Sequence, residues 1–205
     1  MWRVFVLLIL MLPAACTWVP SASDPENIAL IAALEGEPKV LRDGISFDVE
    51  SGVALKLGDV VLTTETDRIS LRMQDGTWIT LASKGELVFH HYGQGEPGAL
   101  LRLSMGQGDV RLSPAGSMVK NPGGIDLVTP MALVEIDAGE VLVSVDDALR
   151  VQLVSKGSVT LRNDRGEARL QRTRQASTVL IGQAPQKTVT LGSAETVNAV
   201  RHLRR

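Results

Sequence analysis

The chain has 205 residues, 44% of them hydrophobic but only 3% aromatic, and a formal net charge of -2. That length allows one ordinary domain with a buried core. So few aromatics make the core aliphatic, suited to sheet packing more than to an aromatic-lined ligand pocket. Charges of both signs are interspersed, which excludes the basic field that nucleic acid binding needs.

Met1-Trp2-Arg3 supplies one positive charge, Val4 to Leu12 is an unbroken apolar run of nine, and Pro13-Ala14-Ala15 follows. This is the grammar of a secretory signal, since a spanning helix needs ~20 apolar residues. The chain is therefore expected to leave the cytoplasm, with residues 1–23 as its signal. Two cleavage readings stay open beside a third alternative, an uncleaved anchor. Cys16 is the single cysteine and stands directly after Ala14-Ala15. Its position resembles the lipid-modified first residue of a bacterial lipoprotein, although Pro13 stands where such signals carry an aliphatic or small residue. In the other reading, the small-x-small pattern Ser21-Ala22-Ser23 releases the chain at Asp24 and discards Cys16. The membrane enters as a partner only through the lipid anchor.

Past the signal, Ser23-Asp24-Pro25-Glu26 has the form of a helix start. Ile28 to Leu34 is apolar throughout, and periodicity leaves helix and strand both open there. Further on, one short phrase recurs four times: Gly58-Asp59-Val60, Gly108-Asp109-Val110, Gly139-Glu140-Val141 and Gly157-Ser158-Val159. Each is a turn opening a strand, because branched apolar residues then alternate, as in Val141-Leu142-Val143-Ser144. The spacings of 50, 31 and 18 residues have no period, so a regular solenoid or propeller is not supported.

Between the first two phrases, Asp75-Gly76 joins two alternating runs and predicts a hairpin. A two-residue turn would put Ile79 and Leu81 on the wrong face. A three-residue loop, Gln74-Asp75-Gly76 with Gly76 left-handed, pairs Leu71 with Ile79, Ile69 with Leu81 and Arg72 with Trp78, so the apolar faces agree. At the far end, Ser193-Ala194-Glu195 caps a short basic helix with Val197, Val200 and Leu203 at threefold spacing. Its apolar stripe is too short for a membrane-surface role.

Candidate chemistry is thin. His90-His91 closes a strand, and adjacent strand residues point to opposite faces, so the two are not expected to chelate one metal ion, even with distant His202 as a third ligand. Glu135, Asp137, Glu140, Asp146 and Asp147 lack the ligand spacing and turn glycine of an EF-hand loop and read as a solvated strand edge. Asp59, Asp75 and Asp109 sit beside turn glycines, where a short acceptor caps the turn. No nucleophile elbow, phosphate loop or Cys-His pair occurs. The sequence therefore points to no catalytic residue, no cofactor and no metal ligand.

One block carries a specific family resemblance. Leu57-Gly58-Asp59-Val60-Val61-Leu62-Thr63, Ile69-Ser70-Leu71 and Asp75-Gly76-Thr77-Trp78-Ile79-Thr80-Leu81 resemble the signature of the FecR domain, a β-rich extracytoplasmic module. Leu103 to Arg111 resembles its second Gly-turn strand, Val128-Thr129-Pro130-Met131-Ala132 its T-P-x-A step, and Gly182-Gln183-Ala184 the step after its last strands. Together these span roughly residues 28–184. The resemblance implies that Ile28 to Leu34 is the first strand and not a helix. Regulatory members of the family pass a signal from an outer-membrane transporter to a cytoplasmic sigma factor. Only Met1-Trp2-Arg3 precedes the apolar run here, so a stand-alone form is implied, lacking the anti-sigma and transporter-contacting parts. The chain also has Gly139-Glu140 where the family has a glycine-threonine pair.

The expectation is an all-β chain, an irregular β-roll or β-sandwich of about a dozen strands with a short C-terminal helix. Residues 24–192 form the domain and 193–205 a basic helical tail. Its expected function is non-catalytic: binding an envelope protein or polysaccharide through strand edges or the loops His90–Gly98 and Ser113–Gly124, with Tyr92 in the first of these. The alternative is a truncated signalling component acting through a separate membrane partner. A glycan-active enzyme would need paired carboxylates converging in a groove.

Overall fold

The computed structural model describes residues 26–93, 101–115 and 124–195. The signal, Cys16, His202 and most of the basic tail lie outside the described residues. The chain runs β1 (Asn27–Glu35), β2 (Lys39–Arg42), β3 (Ile45–Asp48), β4 (Ala54–Lys56), β5 (Val60–Leu62) and β6 (Arg68–Met73). Next come β7 (Trp78–Ala82), β8 (Glu86–Tyr92), β9 (Leu101–Met105), β10 (Gly108–Ser113), β11 (Ile125–Val128) and β12 (Leu133–Ala138). The last are β13 (Val141–Val145), β14 (Ala148–Leu153), β15 (Ser158–Asn163), β16 (Gly166–Leu170), β17 (Gln175–Leu180) and β18 (Val189–Thr190). These eighteen strands exceed the dozen expected, because short strands such as β4 and β5, three residues each, are hard to tell from loops in sequence. Ile28 to Leu34 belongs to strand β1, so the helix alternative falls. A helical turn opens at Ser193.

The strands form two nine-stranded sheets with no closed barrel. Sheet A has the order β18-β17-β14-β13-β10-β7-β6-β1-β4, and sheet B the order β16-β15-β12-β11-β9-β8-β5-β2-β3. Among the described strands only β9 and β11 pair in parallel. The inward faces supply one core cluster. Ile69, Leu71, Ile79, Leu81 and Val143 of sheet A and Leu87, Phe89, Leu103, Leu127 and Val134 of sheet B are all buried in it. It is aliphatic but for Phe89, as the composition requires.

All four repeated glycine phrases mark the same event. Gly58 takes the chain from β4 in sheet A to β5 in sheet B, and Gly157 takes it from β14 to β15 in the same sense. Gly108 and Gly139 lead it back, from β9 to β10 and from β12 to β13. Two of these switches touch. A Cβ on Gly139 would lie 2.9 Å from the Gly157 Cα, and one on Gly157 only 2.0 Å from the Ala138 carbonyl oxygen. Glycine is required there by close backbone approach.

Carboxylates brace the first of these switches and one further crossing. Asp59 is fully buried and takes a two-pronged pair from Arg42, with Nε to Oδ1 and Nη2 to Oδ2 both at 2.7 Å, while the Lys56 amide donates to Oδ2 at 2.8 Å. Asp67, between β5 and β6, accepts the amides of Thr64 at 2.7 Å and Glu37 at 2.9 Å. Burial alone would push its carboxyl up, but these amide hydrogen bonds outweigh burial and hold it below the usual carboxylate range.

Candidate interaction surface

The hairpin of β6 and β7 has the register that its apolar faces dictate. Leu71 pairs with Ile79, Ile69 with Leu81 and Arg72 with Trp78. The Met73 amide donates to the Thr77 carbonyl, leaving Gln74-Asp75-Gly76 as the loop with Gly76 at φ 89°. Asp75 caps it by accepting the Thr77 amide and hydroxyl. The T-P-x-A step is likewise a tight turn between β11 and β12, in which Thr129 Oγ1 donates to the Ala132 carbonyl at 2.7 Å. Asp109, by contrast, lies within β10, in register with Ser144 and Ala82.

Two expectations about the histidine strand change. A bulge between Phe89 and His91 interrupts the pairing of β8 with β9, so strict alternation fails and both histidines are exposed. His90 Nε2 shares a 2.7 Å hydrogen bond with Ser104 Oγ. Among the described residues no cluster of three or more His, Cys, Asp or Glu side chains is placed to hold a metal ion. Tyr92 is not in a loop. It ends β8, packs against the core, and its hydroxyl accepts the Asp75 amide at 2.9 Å. Of the two predicted binding loops, residues 94–100 and 116–123 lie outside the described residues.

The candidate surface is instead the outward face of sheet A. In β14, Leu149, Val151 and Leu153 point into the core, so Ala148, Arg150 and Gln152 point outward. Following the register across the sheet gives one outward row: Val189, Ala176, Gln152, Leu142, Arg111, Thr80, Ser70 and Ala33. Gln152, Leu142, Thr80 and Ser70 in this row are buried although they face away from the core. Leu142 packs in a separate small cluster with Ala82 and Val154. Ser70 and Thr80 share a hydroxyl hydrogen bond at 3.2 Å.

Two hollows lie along this face. One, about 190 Å³, is lined by Ala32, Ala33, Leu34, Glu35, Arg68, Ser70 and Trp78. The other, about 350 Å³, sits over β13, β14 and β17 and is bounded by Leu142, Gln152, Ser177, Val189 and Leu191. It has the mixture typical of ligand sites, an apolar lining with a few convergent polar groups. Its polar residues include Arg150, Ser144, Thr178 and Asp109. A third, polar hollow of about 310 Å³ at the end of the same sheet is lined by Glu65, Lys84, Asp109 and Asp146. None of the residues around the 350 Å³ hollow carried a sequence signal for a binding site: Asp109 read as a turn cap, and Leu142, Val143 and Ser144 only as a strand. Gln152 follows the ordinary alternation of β14, and alternation marks a residue as outward without telling whether anything covers it.

Comparison with known proteins bears on the scaffold. No protein-family model and no curated protein matches the chain. Two crystal structures of a candidate anti-sigma factor from Parabacteroides distasonis share its fold, at 2.50 Å and 1.65 Å resolution. The TM-score is 0.55 for both, with 13% and 12% identity respectively. The shared part covers 67% of this chain and 62% of those chains. At such identity the likeness shows the fold alone.

Proposed function

We propose that this chain is a non-catalytic FecR-like module that works outside the cytoplasm by docking another protein of the bacterial envelope. The observation that carries this reading is the outward face of sheet A, where apolar and hydrogen-bonding side chains line hollows on a rigid two-sheet scaffold. The signal-like N-terminus supports the location, with Cys16 as a lipid anchor or soluble release at Asp24 as the two forms. The shared fold with structures named as an anti-sigma factor favours a place in a signalling relay, acting through a separate membrane partner.

Photocrosslinking in cells tests it. A probe at Val189, 55% exposed beside the larger hollow, is expected to give one discrete protein adduct, while a probe at Arg169 on sheet B gives none. Dependence of envelope-regulated transcription on the adduct partner would establish the relay. Absence of any adduct, together with retention of the chain on purified cell-wall glycan, would move the function to polysaccharide binding. The mass of the mature chain decides between acylated Cys16 and a start at Asp24.

A further inference from the structure

We infer that the 350 Å³ hollow over β13, β14 and β17 is a peptide site, in which Gln152 pairs with the backbone of an extended segment and an aliphatic side chain fills the apolar part. This deepens the docking reading and rests on it for the partner being a protein. The deciding residue is Gln152, only 6% exposed, whose Nε2 is enclosed without a hydrogen-bond partner. A buried donor left unpaired costs about 1–3 kcal/mol, and an unliganded fold gains nothing from retaining it. The neighbouring buried hydroxyl of Ser177, in contrast, is satisfied by the Gln186 carbonyl at 2.8 Å.

The chemistry of the group selects its complement. A primary amide carries donors on nitrogen and acceptor lone pairs on oxygen, and a half-turn about χ3 exchanges the two ends. A residue in extended conformation turns its own N–H and C=O to the same side and so offers both complements to one amide. An acyl chain or phosphate offers acceptors only. The surroundings agree: Leu142 and Ala176 flank Gln152 in register across the neighbouring strands, and Val189 and Leu191 close the far side. The volume suits one or two aliphatic side chains and is too small for a long acyl tail. The short strand β18 ends sheet A, pairing Gln175 with Thr190 and Ala176 with Val189 while the Gln186 and Leu191 amides donate to Thr178 and Arg174, so its outer side is the sheet edge beside the hollow along which a segment can lie.

The probe is N-acetyl-leucine methylamide, titrated into isotope-labelled protein and followed by NMR. The Gln152 side-chain amide and the methyls of Leu142, Val189 and Leu191 are expected to shift together along one saturable curve, in the millimolar range for so small a probe. Gln152→Leu should weaken that binding by about tenfold, yet melt a few degrees higher because the orphan donor is gone. Val189→Glu at the exposed rim should weaken binding with no change in melting. A Gln152→Leu protein that melts lower, or binds the probe unchanged, would overturn the assignment. So would saturable shifts with octanoate and none with the amide probe. If the probe fails while the Val189 crosslink persists, the peptide site falls and docking stands; if the probe binds and no adduct forms, docking falls and the site stands.

Discussion

On the outward side of sheet B one row runs His91, Arg102, Asp126, Glu135, Thr160 and Arg169 across β8, β9, β11, β12, β15 and β16. Arg102 pairs with Asp126 at 3.1 Å, Arg162 with Glu135, and Arg169 with Glu167 at 3.2 Å. Every member is at least partly exposed. The equivalent row on sheet A holds Leu142, Gln152, Thr80 and Ser70, all buried. Both sheets bury the same kind of aliphatic inward face, so the core does not explain the contrast. Sheet B has the alternating charges that keep a solvated sheet from sticking to its neighbours, and sheet A has the partly dehydrated surface on which the docking proposal rests.

The sharpest way to break this comparison is a matched pair of substitutions. Leu142→Asp on the sheet A row is expected to cost about 3 kcal/mol or more in chemical denaturation, since it buries a charge. Thr160→Asp on the sheet B row should cost less than about 1 kcal/mol. Equal costs would mean the two faces are alike. Next in size is the joint that passes the chain from one sheet to the other. Asp67→Asn should lose about 1–3 kcal/mol, because a buried carboxylate accepting two amides is weakened. Its carboxyl is held below the ordinary 3.8, so its stabilisation is complete above that value and is lost as pH falls through the lowered one. The variant should therefore show a flatter loss of stability below about pH 4, with no difference in slope near neutrality.

A third, smaller test stays on the sheet A face. Ser70→Ala should cost about 1 kcal/mol by removing the partner of the Thr80 hydroxyl, and adding Thr80→Val should recover most of it. A double variant as unstable as the sum of its singles would show that the hydroxyls do not act as a pair. The smallest effect is expected on sheet B. Arg169→Ala breaks a pair whose partners are 62% and 50% exposed, and should cost below about 0.5 kcal/mol.

What the sequence disclosed and what it hid divide along the same line. The inward faces were legible: matching Leu71 to Ile79 was enough to choose a three-residue loop over a two-residue one, and the observed register agrees. Turn chemistry was legible at Asp75 and Thr129, because a capping side chain acts within three residues. The outward face of sheet A was not. Val141-Leu142-Val143 reads as a strand, yet nothing in it tells that Leu142 is covered on the side away from the core. Contacts between distant strands were hidden too, as with Arg42 and Asp59, seventeen residues apart. The bulge at Phe89 and His91 undid the one argument that used strict alternation on the histidines.

The order of strands within the sheets carries a last implication. Apart from the exchange of β1 with β4 and of β2 with β3 at one end, each sheet lists its strands in the sequence in which the chain makes them. A chain delivered N-terminus first can close each layer against finished material, because every strand after β2 meets a partner already made. The growing end is always the most recently made pair of edges, which finally are β18 and β16. Extra hairpins could be appended there without rethreading anything already built, and the hollow beside β18 is the last part of the domain to be completed.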